Sequence, residues 1–335
     1  MEYNGENKPV NLLTPLVSVC IMSYQHAKYI RECLDGALLQ KTNFPVEIIV
    51  GEDESTDGTR EICIEYAEKF PDKLRLFLRS RKDVIMINGK NTGRFNFLQT
   101  FKAARGKYVA LCEGDDHWSD PEKLQKQVDF LEANPDLTVC FHAAYELHEG
   151  MEKRISNPNL VKDVFTIEDL AVGNFLHTPT VVYRNIFKGN FPSWFNRIPV
   201  GDYPLHMLHS GKGKIKFIRE PLGYYRVHVG GAWSGLNLRD SELKWINVLD
   251  ILIESDFNDE VKRRLIAQRR KNINKLLEID LLTDWNMLVD DLRNFVENDK
   301  ELYKSWLTNS MAKQKPLPQS KWEARINRLR NIFKR

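Results

Sequence analysis

No strong excess of either charge marks this sequence: 49 Lys and Arg stand against 46 Asp and Glu, a formal net charge of +3 over 335 residues. So small an imbalance excludes the broad basic face that nucleic-acid binding normally requires and leaves only local patches for an anionic partner. Cysteine is scarce and shows no pairing pattern. The five, Cys20, Cys33, Cys63, Cys112 and Cys140, are odd in number, lack CxxC spacing and mostly fall in apolar runs. That excludes a disulfide framework or zinc site and predicts buried thiols in a reducing compartment. Long apolar runs are missing too: nothing approaches the roughly 18 to 20 residues of a membrane span, and the polar start MEYNGENKPVN has no signal-like apolar core. Cytoplasmic localisation is the resulting expectation. There are no internal repeats and no low-complexity tract. What remains, 42% hydrophobic and 28% charged with 18 Gly and 14 Pro, is the composition of a soluble folded chain. Its length can bury a sizeable core, as one large domain plus an appendage or as two ordinary domains.

From Leu16 to about Cys140, strand-like runs alternate with segments of helical period, which predicts βαβ units and a largely parallel sheet. Leu16–Met22, Val46–Gly51, Leu74–Leu78 and Tyr108–Cys112 read as strands. Ile30, Cys33, Leu34, Ala37 and Leu38 mark one amphipathic helix, Ile62, Tyr66 and Phe70 a second, and Phe97, Phe101 and Ala104 a third. Asp120-Pro121 predicts an N-cap and first helical residue ahead of Leu124, Val128 and Leu131. Beyond Gly150 the alternation fails, and the stretch to Leu238 reads as loops and strands built around a site. Glu242–Glu254, Glu260–Leu282 and Trp285–Leu307 are helical in period. The expected division is residues 1–238 as a nucleotide-binding α/β domain and 239–335 as a helical region.

Ligands of an open parallel sheet bind outside the carboxyl ends of its strands. Three such positions are unusually polar: Ser23-Tyr24-Gln25-His26 after the first strand, Glu52 through Gly58 after the second, and Glu113-Gly114-Asp115-Asp116-His117-Trp118 after the fourth. Three carboxylates within four residues repel each other, and a hard cation such as Mg²⁺ or Mn²⁺ would relieve them while binding substrate phosphates. The competing reading is a solvated acidic turn. Taken singly, Glu52–Asp57 reads as a polar turn capping the next helix, and Tyr24 as an ordinary partly buried aromatic.

Together the segments LVSVCIMSYQHAKYIRECLDGALLQ, EIIVGEDESTDGTREI and ARGKYVALCEGDDHWSDPEKL resemble glycosyltransferase family 2, inverting enzymes with the GT-A fold, strongly over residues 15–135 and weakly to 235. The resemblance implies that Ser23, Tyr24 and Asp53 contact the nucleotide, Asp53 through a uracil-type base. It makes Asp115 the direct metal ligand of a DxD-type motif, with Glu113 and Asp116 on the ribose or behind the metal. Arg79 and Arg81, followed by Asn91 and Gly93, fall where the family touches nucleotide, or form an ordinary basic loop. Three residues depart from the pattern: Gln25 replaces the common Asn, Glu54 a Gly and Glu113 the first Asp.

By the same resemblance Asp202, in Val200–Leu205, matches the base-bearing segment; helix capping before Pro204 is the alternative. Tyr224–Ser234 resembles the segment that closes over the diphosphate, where Arg226 offers a planar fork to phosphate and His228 a metal ligand or phosphate donor. His177 and Trp194 are expected to line the acceptor pocket, though core burial explains them nearly as well. In the tail, 313–335, Trp322, Ile326, Leu329 and Phe333 interleave with arginines as a basic amphipathic helix, suited to an anionic membrane carrying lipid-linked acceptors or to packing on the body or a second subunit of a homodimer. The activity implied is metal-dependent inverting transfer from a nucleotide-sugar, UDP-linked, to a glycan or lipid-linked acceptor of a bacterial-type surface glycan. A sugar nucleotidyltransferase is disfavoured because Ser23–Tyr29 lacks the glycines that cradle triphosphate. A catalytically inert binding protein of the same fold is the remaining alternative.

Overall fold

Strand β1 (Val17–Ser23) is buried along nearly its whole length, as a near-continuous apolar run requires when both faces of a sheet are covered. The computed structural model describes residues 1–3, 14–228, 230–231, 235–283, 285–296 and 302. They fall into two compact units, Met1–Gly235 and Leu236–Arg335. In the first, the chain runs α1 (Ile30–Leu38), β2 (Val46–Glu52), α2 (Thr59–Lys69), β3 (Leu74–Leu78), a hairpin of β4 (Met86–Ile87) and β5 (Lys90–Asn91), α3 (Arg94–Lys102), β6 (Tyr108–Glu113), β7 (His117–Trp118) and α4 (Lys123–Ala133). It continues through β8 (Leu137–His148), β9 (Arg154–Ile155), β10 (Val164–Phe165), α5 (Ile167–Leu170), β11 (Val182–Arg184), α6 (Asp202–Ser210) and β12 (Lys214–Val227).

The main sheet has the order β10-β12-β8-β11-β6-β1-β2-β3, with β7 beside β12 and β9 beside β8. Strands β3, β2, β1 and β6 are mutually parallel, β11 is antiparallel to β6 and β8, and β12 runs parallel to β8. After β1 the chain moves to β2 and β3 on one side, then returns through α3 to β6 on the other. The carboxyl ends of β1 and β6 thus form a topological switch point, the place where such sheets open a crevice. Ile30, Cys33, Leu34 and Ala37 face the core from α1, as their spacing predicts. Gly36 lets this helix meet the strand after the acidic motif: a Cβ there would stand 2.6 Å from the Trp118 carbonyl oxygen.

One expected boundary moves. Helix α4 starts at Lys123, after Asp120-Pro121, because Asp120 spends its carboxylate on the Glu122 amide (2.7 Å) and caps a turn instead. The stretch past Gly150, read as loops and strands built around a site, supplies short strands and the long β12, which joins the main sheet in parallel with β8 along nearly its length. All five cysteines are free and buried. In the second unit, α7 (Leu238–Glu254), α8 (Asp259–Thr283) and α9 (Trp285–Val296) follow the expected helical period. Arg239 bridges Asp280 (2.7 Å) and Asp291 (2.6 Å) there. The tail at 313–335 lies outside the described residues, as do Val229 and residues 232–234. Among the described residues, no helix is long and apolar enough to cross a membrane.

Candidate active site

The parallel strands deliver three loops to one rim. After β1, Ser23 is buried, and its Oγ has no hydrogen-bond partner among the described residues. Tyr24 follows, 42% exposed. After β2, Asp53 is buried and accepts from Arg81 Nη1 at 2.5 Å, while the Arg81 guanidinium lies 4.4 Å from the centre of the Tyr24 ring. Burial pushes the Asp53 carboxyl up, and Arg81 opposes it. Arg79 lies over the Phe77 ring at 4.7 Å, and burial lowers its affinity for the proton. Tyr24, Asp53 and Arg81 therefore form one cluster with Arg79 beside it.

After β6 come the three acids. Ligand atoms of Glu113, Asp115 and Asp116 lie within 4.8 Å of one another. Burial raises Glu113 to about 8, with Asp115 and then Asp202 adding to the effect, and burial followed by Asp115 raises Asp116. Asp116 Oδ1 accepts from the Arg226 amide at 2.7 Å, whereas Oδ2 has no partner among the described residues. The Arg226 guanidinium donates to the Asp115 carbonyl (2.6 Å) and pairs with Glu32 on α1, so it ties β12 to the acidic loop. His228 Nε2 stands 3.0 Å from Asp115 Oδ2, and His26 Nε2 3.9 Å from the same oxygen.

This donor set fits a hard divalent cation. Three mutually repelling carboxylates, two of them raised by burial and then by Asp115, are costly until a positive charge joins them, and the unpartnered Asp116 oxygen is free to accept it. Oxygen donors with one imidazole beside them suit Mg²⁺ or Mn²⁺.

Asp202 opens α6, and its Oδ1 is buried without a partner among the described residues. Burial raises its carboxyl, while the first backbone amides of the helix, then Arg94 and His177, pull it down. Because Asp202 also acts on Glu113, the α6 terminus and the β6 loop share one electrostatic site. His177 stacks on Tyr225 with ring centres 4.5 Å apart and reaches Glu146 at 3.5 Å, and it connects to the site through its electrostatic effect on Asp202 and through Tyr225, which Glu113 and Asp116 influence. Trp194 joins only indirectly: its ring meets Phe195 at 5.9 Å, and Phe195 carries the Arg94 guanidinium at 4.8 Å.

His26, within the polar segment after the first strand, reaches Asp115, and two residues without a sequence-predicted role, Arg94 and Glu32, also belong to the site. Arg94 is 6% exposed and donates to the Ile198 carbonyl at 2.9 Å from behind Gly201. A charged residue opening a helix just after Asn91-x-Gly93 was the available signal. Glu32 offered none, since its partners Arg226 and His117 lie far along the chain.

Comparison with known proteins agrees with this architecture. An uncharacterized protein of Mycobacterium tuberculosis is 40% identical over 220 residues, covering 65% of this chain and 60% of that protein. The match thus spans three fifths of the relative's length. A sequence named as an uncharacterized glycosyltransferase of Nostoc is 31% identical over 225 residues, covering 63% of this chain and 65% of the relative. Among solved structures, Staphylococcus aureus TarS 1-349 in complex with UDP-GlcNAc superposes with a TM-score of 0.53 at 18% identity, covering 87% of this chain and 78% of that one. The mannosyltransferase PcManGT from Pyrobaculum calidifontis, in complex with GDP-Man and Mn²⁺, gives 0.53 at 17% identity, covering 90% and 86%. At such identities the likeness establishes the fold, which is GT-A. The sequence pattern described as glycosyl transferase family 2 matches residues 18–197, more than half of the chain and all of the rim just described up to the turn before Asp202, and the chain belongs to that family.

Proposed function

We propose that this chain moves a sugar from a nucleotide-sugar to an acceptor hydroxyl in a single displacement that inverts the anomeric carbon. The observation that carries the proposal is a partly buried three-carboxylate cluster at the switch point, within the electrostatic reach of a fourth carboxylate, Asp202, from a separate element. Asp202 takes the proton of the acceptor hydroxyl, the acceptor oxygen bonds to the anomeric carbon, and the bond from that carbon to the diphosphate oxygen breaks. Its elevated proton affinity suits that task, and its place on α6 keeps it apart from the cation-binding loop. Asp115, with Asp116 and His228, would hold the cation, which supplies positive charge to the departing diphosphate.

Tyr24 and Asp53 take the base, read as uracil through the Asp53 carboxylate, with Ser23, Glu113 and Arg79 around the nucleoside. Arg226 holds the acidic loop against β12 and stands within reach of phosphate. His177 lines the acceptor side. The acceptor is a glycan or a lipid-linked sugar, and the basic pattern of 313–335 suits an anionic surface bearing one. TarS bound to UDP-GlcNAc and PcManGT bound to GDP-Man and Mn²⁺ support a nucleotide-sugar donor. The test is Asp202→Asn: donor affinity is retained and transfer falls at least about a hundredfold. Unchanged turnover would remove Asp202 as the base. Absence of transfer and donor hydrolysis in the wild type despite nucleotide binding would favour an inert binding protein.

A further inference from the structure

The two base-side positions where this sequence departs from the family pattern, Gln25 and Glu54, both adopt left-handed backbone, with φ of 58° and 61°. Neither residue type suits that region, which Gly tolerates freely and Asn more readily than most. Strain kept by long side chains invites the question of what those side chains reach.

Gln25 reaches the β2 loop. Its Oε1 accepts from the Thr56 amide at 3.1 Å, its Nε2 donates to Thr56 Oγ1 at 3.1 Å, and its own amide donates to Ser55 Oγ at 2.9 Å. Glu54 reaches the β3 loop. One carboxylate oxygen accepts from the Arg81 amide at 2.5 Å and from Ser80 Oγ at 3.3 Å. Arg81 then closes the circuit, pairing with Asp53 and covering Tyr24. Three loops from three parallel strands are thereby stitched together around Tyr24, Asp53 and Arg81.

We infer that Gln25 and Glu54 are positioning residues that pre-organise the nucleobase subsite by locking the loops after β1, β2 and β3 to one another. This rests on the donor reading proposed above. The two side chains act through the neighbouring loops, Gln25 through Thr56 and Glu54 through Ser80 and Arg81. Their bonds offset the left-handed strain in the free protein, so less ordering remains to be done when donor binds. Asn at either position would sit more easily on the backbone but is too short to make the inter-loop bonds.

The experiment compares wild type, Gln25→Asn and Glu54→Asn as full-length chains, by calorimetric titration of UDP and of GDP with Mn²⁺ and by thermal unfolding without nucleotide. Each variant should bind about five- to tenfold more weakly, with the loss in the entropy of binding, while its unfolding temperature stays level or rises. Equal affinity in wild type and both variants overturns the inference and leaves the donor reading standing. Affinity and unfolding temperature falling together also overturn it, since that marks a merely structural role. A wild type that binds neither nucleotide overturns the donor reading, and this inference with it.

Discussion

Glu113→Gln probes the acidic cluster while preserving its shape. In the free protein burial, Asp115 and Asp202 push Glu113 from 4.5 to about 8, so at neutral pH the folded chain keeps this carboxyl protonated while the unfolded chain ionises it. The native state then holds more protons than the unfolded one. Stability therefore falls as pH rises from 4.5 and levels off above about 8. At about 1.4 kcal/mol per pH unit, the loss near pH 7 is about 3 kcal/mol. Gln cannot ionise, so the variant should recover that amount, about 6–12 °C in unfolding temperature for a unit of this size. The assay is thermal unfolding followed by circular dichroism at about pH 5, 7 and 8, in EDTA and again with Mn²⁺. In EDTA the wild type should lose stability over this range and the variant much less. Mn²⁺ should restore the wild type more than the variant, because a cation that binds only the folded state stabilises it and keeps the carboxylates charged. A wild type indifferent to pH in EDTA, or a variant no more stable than it, refutes the buried-cluster argument. Indifference to Mn²⁺ refutes the cation site.

Lys123 sits fully buried 3.7 Å from the centre of the Trp118 ring, its amine has no hydrogen-bond partner among the described residues, and burial lowers it to about 7. Its folded value lies below the unfolded one, so it costs stability increasingly as pH falls from 10.5 toward 7. Lys123→Met should raise stability by about 2 kcal/mol near pH 7, measured by urea unfolding, and a destabilised variant would contradict this. After the first backbone amides of α6, Arg94 offsets the burial of Asp202, with His177 behind it. Arg94→Met should move the acidic limb of the pH–rate profile upward, and an unmoved limb would show that Arg94 has no influence on the proposed base.

Local physics made much of this molecule legible in sequence. Periodicity located β1, β2, β3 and β6 to within a residue or two, because strands buried on both faces need unbroken apolar runs and the helices between them need one apolar stripe. Given parallel strands, the polar segments after β1, β2 and β6 had to share a rim, and so Ser23, Tyr24, Asp53 and the acids at 113, 115 and 116 were found together. What sequence could not supply was pairing between distant segments. Strand β12 carries Pro221, Gly223 and several charges and lacks clean alternation, yet it forms because β8 offers a matching edge and register shifts around Pro221 absorb the misfit. That pairing, with the short antiparallel match of Gly223 and Tyr224 to Trp118 and His117, brings Arg226 and His228 to Asp115 and Asp116, more than a hundred residues away. The electrostatic influence of Arg94 on Asp202 and the stitching by Gln25 and Glu54 likewise depend on loop geometry. Hydrophobic period reports which face a residue turns toward the core, but which loops touch is decided by strand order, and strand order is a property of the assembled sheet.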